Sequence, residues 1–311
     1  APMRTLHLAL PGWIDHDDTY LTLLVHASKQ GQVRVSASSE RDTARIVAKL
    51  RERGAVMDRI RFDHTAPVET IWMRDYGPLP LATPDGAGVV DFNYAPDCTN
   101  DDAYPTVSRR EGQEVWRSGT YLDGGNLVTD GLGTCFATDE LAYEAGTTSE
   151  VMRDLVKRWA GCQRLVVLES LEGDSAPHVD MFLTPAPDGV LLLARFDPTE
   201  DAANAMVMQR NRQRLVDLAG KDGMPAWKLV DLPTPPTLHR PEATVVRTWN
   251  NLLPFNGVVF VPDYSKVPTE RVVQAWTLTQ AAFPGRELRG VAADPLIEFG
   301  GAVHCIGRAE P

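Results

Sequence analysis

Five short polar clusters recur at nearly even intervals along the 311 residues, and this spacing constrains the fold more than any single segment does. They are Trp72-Met73-Arg74-Asp75, Asp123-Gly124-Gly125-Asn126, His178-Val179-Asp180, Trp249-Asn250-Asn251 and Gly300-Gly301-Ala302-Val303-His304-Cys305. From Asp75 to Asn126 is 51 residues, from Asn126 to His178 52, from His178 to Asn251 73, and from Asn251 to Cys305 54. Units of similar length, each delivering polar residues from one end, converge on a common axis if arranged radially, whereas linear stacking spreads them apart.

The segments between the clusters alternate strand-like and helix-like patterns, which makes this an α/β chain. Residues 33–36, 88–94, 134–138, 165–168, 190–195 and 257–262 have the length and β-branched or apolar character of strands. Ser39 followed by Asp42 predicts a helix start, with Ala44, Val47 and Leu50 on one face. Further stripes are predicted at Val151, Leu155 and Trp159, at Ala205, Met208, Arg212, Leu215 and Ala219, and at Val272, Ala275, Thr279 and Phe283. All have the character of packing faces. The proline-rich stretch at 232–236 falls inside the longest interval and is expected to be a loop within one domain spanning 1–311.

Charge narrows the partners. A net charge of -11 with basic residues scattered singly or in pairs disfavours nucleic acid and anionic membrane surfaces, and it suits a cationic substrate. No apolar run approaches the roughly 20 residues of a membrane-spanning helix. Cys98, Cys135, Cys162 and Cys305 include no C-x-x-C pair for zinc, and one disulfide among the first three stays open. Asp97, Asp101 and Asp102 do not follow the spacing of a calcium loop and read as a solvated acidic loop, so no metal or other cofactor is expected. Nothing in the sequence sets an oligomeric state.

Taken singly, each cluster has an ordinary structural explanation. A cysteine among Ala302, Val303 and Ile306 is most often a small buried hydrophobe. Arg74 beside Asp75 suits an ion pair, Trp72 suits a core, and Asp-Gly-Gly-Asn suits a turn. His178 and Asp180, two apart, would share one face if their segment were a strand.

Together, and in this order, Trp72 to Pro78, Gly124-Gly125-Asn126, His178-Val179-Asp180, Asn251 with Asn256 to Val259, and Gly300 to Cys305 resemble the family of Porphyromonas-type peptidylarginine deiminases and agmatine deiminases. The resemblance covers about residues 5 to 311 and implies a five-bladed α/β propeller, the pentein fold, with pseudo-fivefold repeats of short strands and one helix. It further implies that Cys305 is the nucleophile and His178 the general acid and base, while Asp75 and Asp180 grip the guanidinium nitrogens. Asn251 would order the site and Trp72 would line it, with Asn126 shaping the floor and Arg74 structural.

The residue types suit this chemistry. A delocalised guanidinium is a poor electrophile, so a thiolate is needed, and paired carboxylates hold the planar fork in line with it. The implied activity is hydrolysis of a C–N bond in a linear amidine, giving a ureido product and ammonia. Residues 89–94 and 100–105 are similar to the peptidylarginine branch, but Ala95 to Thr99 supplies no arginine for a substrate carboxylate. An arginine-containing peptide, free arginine or another small alkylguanidine therefore all stay open as substrates. Agmatine deiminase and a non-catalytic guanidinium-binding protein of the same fold are the alternatives. A papain-like protease fits less well, because carboxylates beside the thiol oppose an anionic intermediate. The exported character common in the peptidylarginine branch, with the Ala1-Pro2 start, leads to an expectation of extracellular or periplasmic location, the cytoplasm being the alternative.

Overall fold

Continuous apolar runs bury both faces of a strand, and Leu191-Leu192-Leu193 lies in the middle strand of a three-stranded sheet. The computed structural model describes residues 2–12, 17–64, 68–83, 86–110, 112–240 and 244–311. Chain contacts divide into two units: one comprises residues 1–124, 253–260 and 304–311, the other 125–252 and 261–303.

In the first unit β1 (Thr5–Leu10) leads through α1 (Asp17–Gln30) to β2 (Gln32–Ala37), and α2 (Glu40–Glu52) leads to β3 (Ile60–Asp63). A one-turn helix, α3 (Met73–Tyr76), precedes β4 (Leu79–Thr83) and β5 (Gly86–Asn93), and α4 (Thr99–Asp102) and α5 (Pro105–Arg110) lead to β6 (Glu114–Tyr121).

The second unit begins with β7 (Val128–Thr129), β8 (Thr134–Thr138), α6 (Glu140–Glu144), α7 (Ser149–Trp159) and β9 (Arg164–Leu168). It continues with β10 (Leu183–Ala186), β11 (Val190–Arg195), α8 (Ala202–Leu218), β12 (Lys228–Pro233) and a small ladder of β13 (Leu238–His239) and β14 (Thr244–Val245). The chain then forms β15 (Leu253–Phe255) and enters β16 (Val258–Asp263), which runs on into α9 (Thr269–Ala282), β17 (Glu287–Ala292) and α10 (Asp294–Ile297), before ending in β18 (Gly307–Glu310).

One connection pattern recurs. A first strand pairs antiparallel with a second, which pairs parallel with a third after a helical crossover: β4-β5-β6, β7-β8-β9 and β10-β11-β12. The carboxy-terminal strand β18 pairs antiparallel with β1, which runs parallel to β2 and β2 to β3, so the chain's end completes its first repeat. β15 pairs antiparallel with β16 across an Asn256-Gly257 turn, Asn256 having φ 49°, and β17 follows in the same sheet. The β13-β14 ladder lies outside the pattern, and it accounts for the long 73-residue interval.

Several details differ from the sequence reading. The crossover carries one helix in the repeats of α8 and α9, but two in those of α4 with α5 and α6 with α7. The α2 cap forms as expected, Ser39 Oγ accepting from Asp42 N–H at 3.2 Å, but its buried face is Ile46 and Leu50, Ala44 being exposed. On α7 the buried residues are Met152 and Val156, one position beyond the expected stripe, with Val151 48% exposed. On α8 Arg212 is exposed, and Asn204 and Asn211 are buried beside Val207, Met208 and Leu215. Each asparagine clasps the backbone of the loop after β9: Asn211 bonds both N–H and C=O of Glu169, and Asn204 both groups of Glu172. A hydropathy count cannot foresee such burial, because the partner is a distant peptide group. Of the expected stripe on α9, Ala275 and Thr279 are buried in the helix and Phe283 at its C-cap, while Val272 is only partly buried.

Of the acidic segment expected to be a solvated loop, Asp97 is exposed, but Asp101 and Asp102 lie in α4 and bind the chain. Asp101 is 0% exposed and accepts from Glu69 N–H, Thr70 N–H and the Thr70 hydroxyl at 2.9, 2.9 and 2.7 Å, while Asp102 accepts from Tyr94 N–H at 2.8 Å. The Asp101 carboxylate fixes the chain just ahead of Trp72 and Asp75, and the Asp102 carboxylate fixes Tyr94 beyond β5. In the second unit a disulfide joins Cys135 on β8 to Cys162 beyond α7. Leu232 and Pro233 complete β12, and only residues 234–237 form the loop expected at the proline-rich stretch. Among the described residues no helix is long and apolar enough to cross a membrane.

Candidate active site

All five polar clusters lie immediately ahead of the first strand of a sheet. Asp75 is in α3 before β4, Asn126 ends a 3-10 turn before β7, and His178 caps another, Val179–Met181, before β10. Asn251 precedes β15, and Cys305 sits in a turn before β18. His178 and Asp180 thus lie at the cap of a 3-10 turn and within it, so the shared face that a strand would give them does not apply; both are buried.

In the first unit, Cys305 is 2% exposed and lies outside the disulfide. Its carbonyl accepts from Arg74 N–H at 2.9 Å, and the neighbouring His304 carbonyl accepts from Arg74 Nε at 3.3 Å. Arg74 therefore has the structural part expected of it, binding the cysteine turn to the helix that carries Asp75. Below them Arg308 on β18 is buried and donates to the Arg74 carbonyl at 3.0 Å. Burial, and secondarily the like charge of Arg74, lowers its guanidinium to about 9, while Asp75 acts in the opposite sense. Gly124 is required at this contact, because a Cβ there would overlap the Arg74 carbonyl oxygen and Arg308 Nη1.

Trp72 and Tyr94 are half-buried against a core of Ala9, Val68, Met73, Tyr76 and Tyr104, which places an aromatic wall beside the Asp75 segment. Burial first, and the charges of Asp75 and Asp123 after it, push the Tyr94 phenol far above its ordinary range, so it stays neutral. Aromatic faces next to a carboxylate suit a flat organic cation. Asp123 in turn accepts from the Tyr121 hydroxyl at 3.0 Å.

In the second unit, Asn126 Oδ1 accepts from Val179 N–H at 3.2 Å, binding the residue between His178 and Asp180. Asn251 is wholly buried and its Nδ2 lies 3.5 Å from Met181 Sδ. The sequence reading missed two carboxylates here. Glu144, at the end of α6, has a carboxylate oxygen within 4.8 Å of a ring nitrogen of His178. Asp174 lies four residues before His178; burial raises its carboxyl to about 7, Asp180 adding to the rise while the Ala176 N–H and His178 oppose it. Asp174 also lines a cavity of about 110 Å³ with Ser175, Val245, Ile297 and Gly300. Only the motif-adjacent position of Asp174 offered a sequence signal, and Glu144 offered none. The structure thus groups Trp72, Asp75 and Cys305 in the first unit, and His178, Asp180 and Asn251 in the second.

Known proteins share the fold. A candidate arginine deiminase from Porphyromonas gingivalis superposes with a TM-score of 0.85 at 23% identity, covering 100% of this chain and 96% of that one. The agmatine deiminase of C. jejuni does so with a TM-score of 0.84 at 18% identity, covering 100% and 93%. These likenesses establish the shared α/β fold. In sequence, the agmatine deiminase of Pseudomonas fluorescens is 24% identical over 277 residues, 77% of this chain and 74% of that protein. The sequence profile of Porphyromonas-type peptidyl-arginine deiminases matches residues 11–311, and the chain belongs to that family.

Proposed function

We propose that this protein is a hydrolase of C–N bonds in linear amidines that converts an arginine-like guanidinium into a ureido group with release of ammonia. The observation that carries the reading is the placement of Asp75, Asn126, His178, Asn251 and Cys305 at one equivalent point of five sheets with a common connection pattern. Within this reading the sheets are the blades of a five-bladed α/β propeller, residues 1–311 act as one catalytic domain, and the clusters meet at its axis. Asp75 and Asp180 bind the guanidinium nitrogens, and Trp72 covers its face.

The Cys305 thiolate attacks the guanidinium carbon, forming a C–S bond and a tetrahedral adduct. His178 donates a proton to one nitrogen, the C–N bond breaks and ammonia leaves, which gives a covalent thiouronium. Water enters, His178 removes its proton, and oxygen attacks the same carbon. Collapse breaks the C–S bond, the hydroxyl proton passes to the departing sulfur to restore the thiol, and the ureido product is released. The arriving cation favours the thiolate, so binding activates the nucleophile.

Peptidyl-arginine, giving a citrulline-type product, is the substrate class we favour, following the family. Agmatine is the second reading, favoured by relatives such as the agmatine deiminase of Enterococcus faecalis. The Cys135–Cys162 disulfide supports a site of action outside the reducing cytoplasm. The test is to incubate the purified full chain with a blocked arginine peptide, free arginine and agmatine, measuring ammonia and ureido product. Activity persisting in Cys305→Ala refutes the mechanism, and the ratio of rates decides the substrate.

A further inference from the structure

The side chain of Thr138, the last residue of β8, stands between two segments of the second unit that the sequence holds far apart. It is buried, and its hydroxyl donates to the Pro177 carbonyl at 2.8 Å. The same oxygen accepts from Asn126 Nδ2 at 2.9 Å, and Thr138 N–H donates to Asn126 Oδ1 at 2.9 Å. Asn126 Oδ1 is also the acceptor for Val179 N–H. The residues on either side of His178 are therefore each bound by this Thr138–Asn126 pair, Pro177 through its carbonyl and Val179 through its amide.

We infer that Thr138 is a positioning residue for the acid–base step: its hydroxyl, acting directly on Pro177 and through Asn126 on Val179, fixes the backbone that aims the His178 imidazole. The physical demand is specific. Valine has nearly the same shape, but it would leave the Pro177 carbonyl and the Asn126 amide without this partner in a buried site, and the 177–179 segment would shift to find others. Misplacement of a reacting group by about 1 Å costs on the order of 10²-fold in rate. Serine keeps the hydroxyl and loses only a methyl group.

This inference rests on the catalytic reading of His178, so the experiment separates the two. Thr138→Val, Thr138→Ser and His178→Ala are made in the full chain, and kcat, KM and the pH–rate profile are measured on the best guanidinium substrate. Thr138→Val is expected to lose on the order of 10²-fold in kcat, with KM little changed and the histidine-dependent limb of the profile displaced. Thr138→Ser is expected to recover most of the rate. Wild-type kcat in Thr138→Val, equal damage in the valine and serine variants, or a loss confined to KM overturns the positioning role. If Thr138→Val does not fold, Thr138→Cys, which keeps a weak donor of similar size, is expected to lose about 10-fold in kcat, and an unchanged kcat there overturns the proposal. Activity surviving in His178→Ala defeats the catalytic reading itself, whereas an inactive His178→Ala beside an unimpaired Thr138→Val defeats only the positioning role.

Discussion

Replacing Asp174 by asparagine should make the protein more stable relative to wild type as the pH rises, and the structure gives both sign and scale. One oxygen of Asp174 accepts from Ala176 N–H at 3.2 Å, and the other is buried with no hydrogen-bond partner among the described residues. Burial of this kind disfavours the charge, so the carboxyl holds its proton to about 7 in the native state. In the unfolded chain the same group loses its proton near its ordinary value of about 3.9. Between these two values the native state binds more protons than the unfolded state, so the contribution of Asp174 to stability falls as pH rises through that window and is constant above it. Three pH units at about 1.4 kcal/mol each set an upper bound near 4 kcal/mol, and solvent screening of a partly exposed residue reduces it to about 2 kcal/mol.

Asparagine fills the same space, keeps an acceptor for Ala176 N–H and does not titrate. Urea unfolding of wild type and Asp174→Asn, followed by tryptophan fluorescence at constant ionic strength from pH 4.5 to 8, should give stability curves that diverge by about 2 kcal/mol, the variant becoming the more stable. Parallel curves, or a wild type that gains on the variant as pH rises, would refute the assignment of a protonated Asp174 carboxyl.

Gly124→Ala should displace the Arg74 carbonyl and with it the link to Cys305, lowering activity by at least about tenfold and stability by about 1–3 kcal/mol, measured by turnover and by denaturant midpoint. The paired substitution Cys135→Ser with Cys162→Ser opens a loop of 27 residues and should cost about 3–4 kcal/mol, seen as a lower midpoint that reducing agent reproduces in the wild type. In Glu144→Gln, removal of a negative charge within 4.8 Å of His178 should move the alkaline limb of the pH–rate profile to lower pH by about one unit. An unmoved limb would show that Glu144 does not act on the imidazole. Asp101→Asn should lower the denaturant midpoint, because an uncharged amide replaces a carboxylate that accepts three hydrogen bonds ahead of Trp72.

The sequence by itself determined the repeat. Even spacing of the polar clusters, with apolar runs such as residues 134–138 and 190–195 between them, marked strands with polar residues at one end, and both runs are strands with those bounds. The order of the motifs sufficed for the family, because five separate clusters, carrying Asp75, Asn126, His178, Asn251 and Cys305, had to agree in sequence at once. Local patterning served less well on α7 and α8, where the buried face is set by what packs against it. Asn204 and Asn211 look polar, yet they are buried because each closes a hydrogen-bonded pair with a peptide group more than 30 residues away. The same holds for Asp101, read as solvated and found wholly buried. Tertiary structure alone decided that Thr138 lies against Pro177, that Glu144 lies near His178, and that the last strand completes the first sheet. Each is a long-range contact between side chains or edges that local propensity leaves unspecified, and only the folded chain brings the partners within reach of one another.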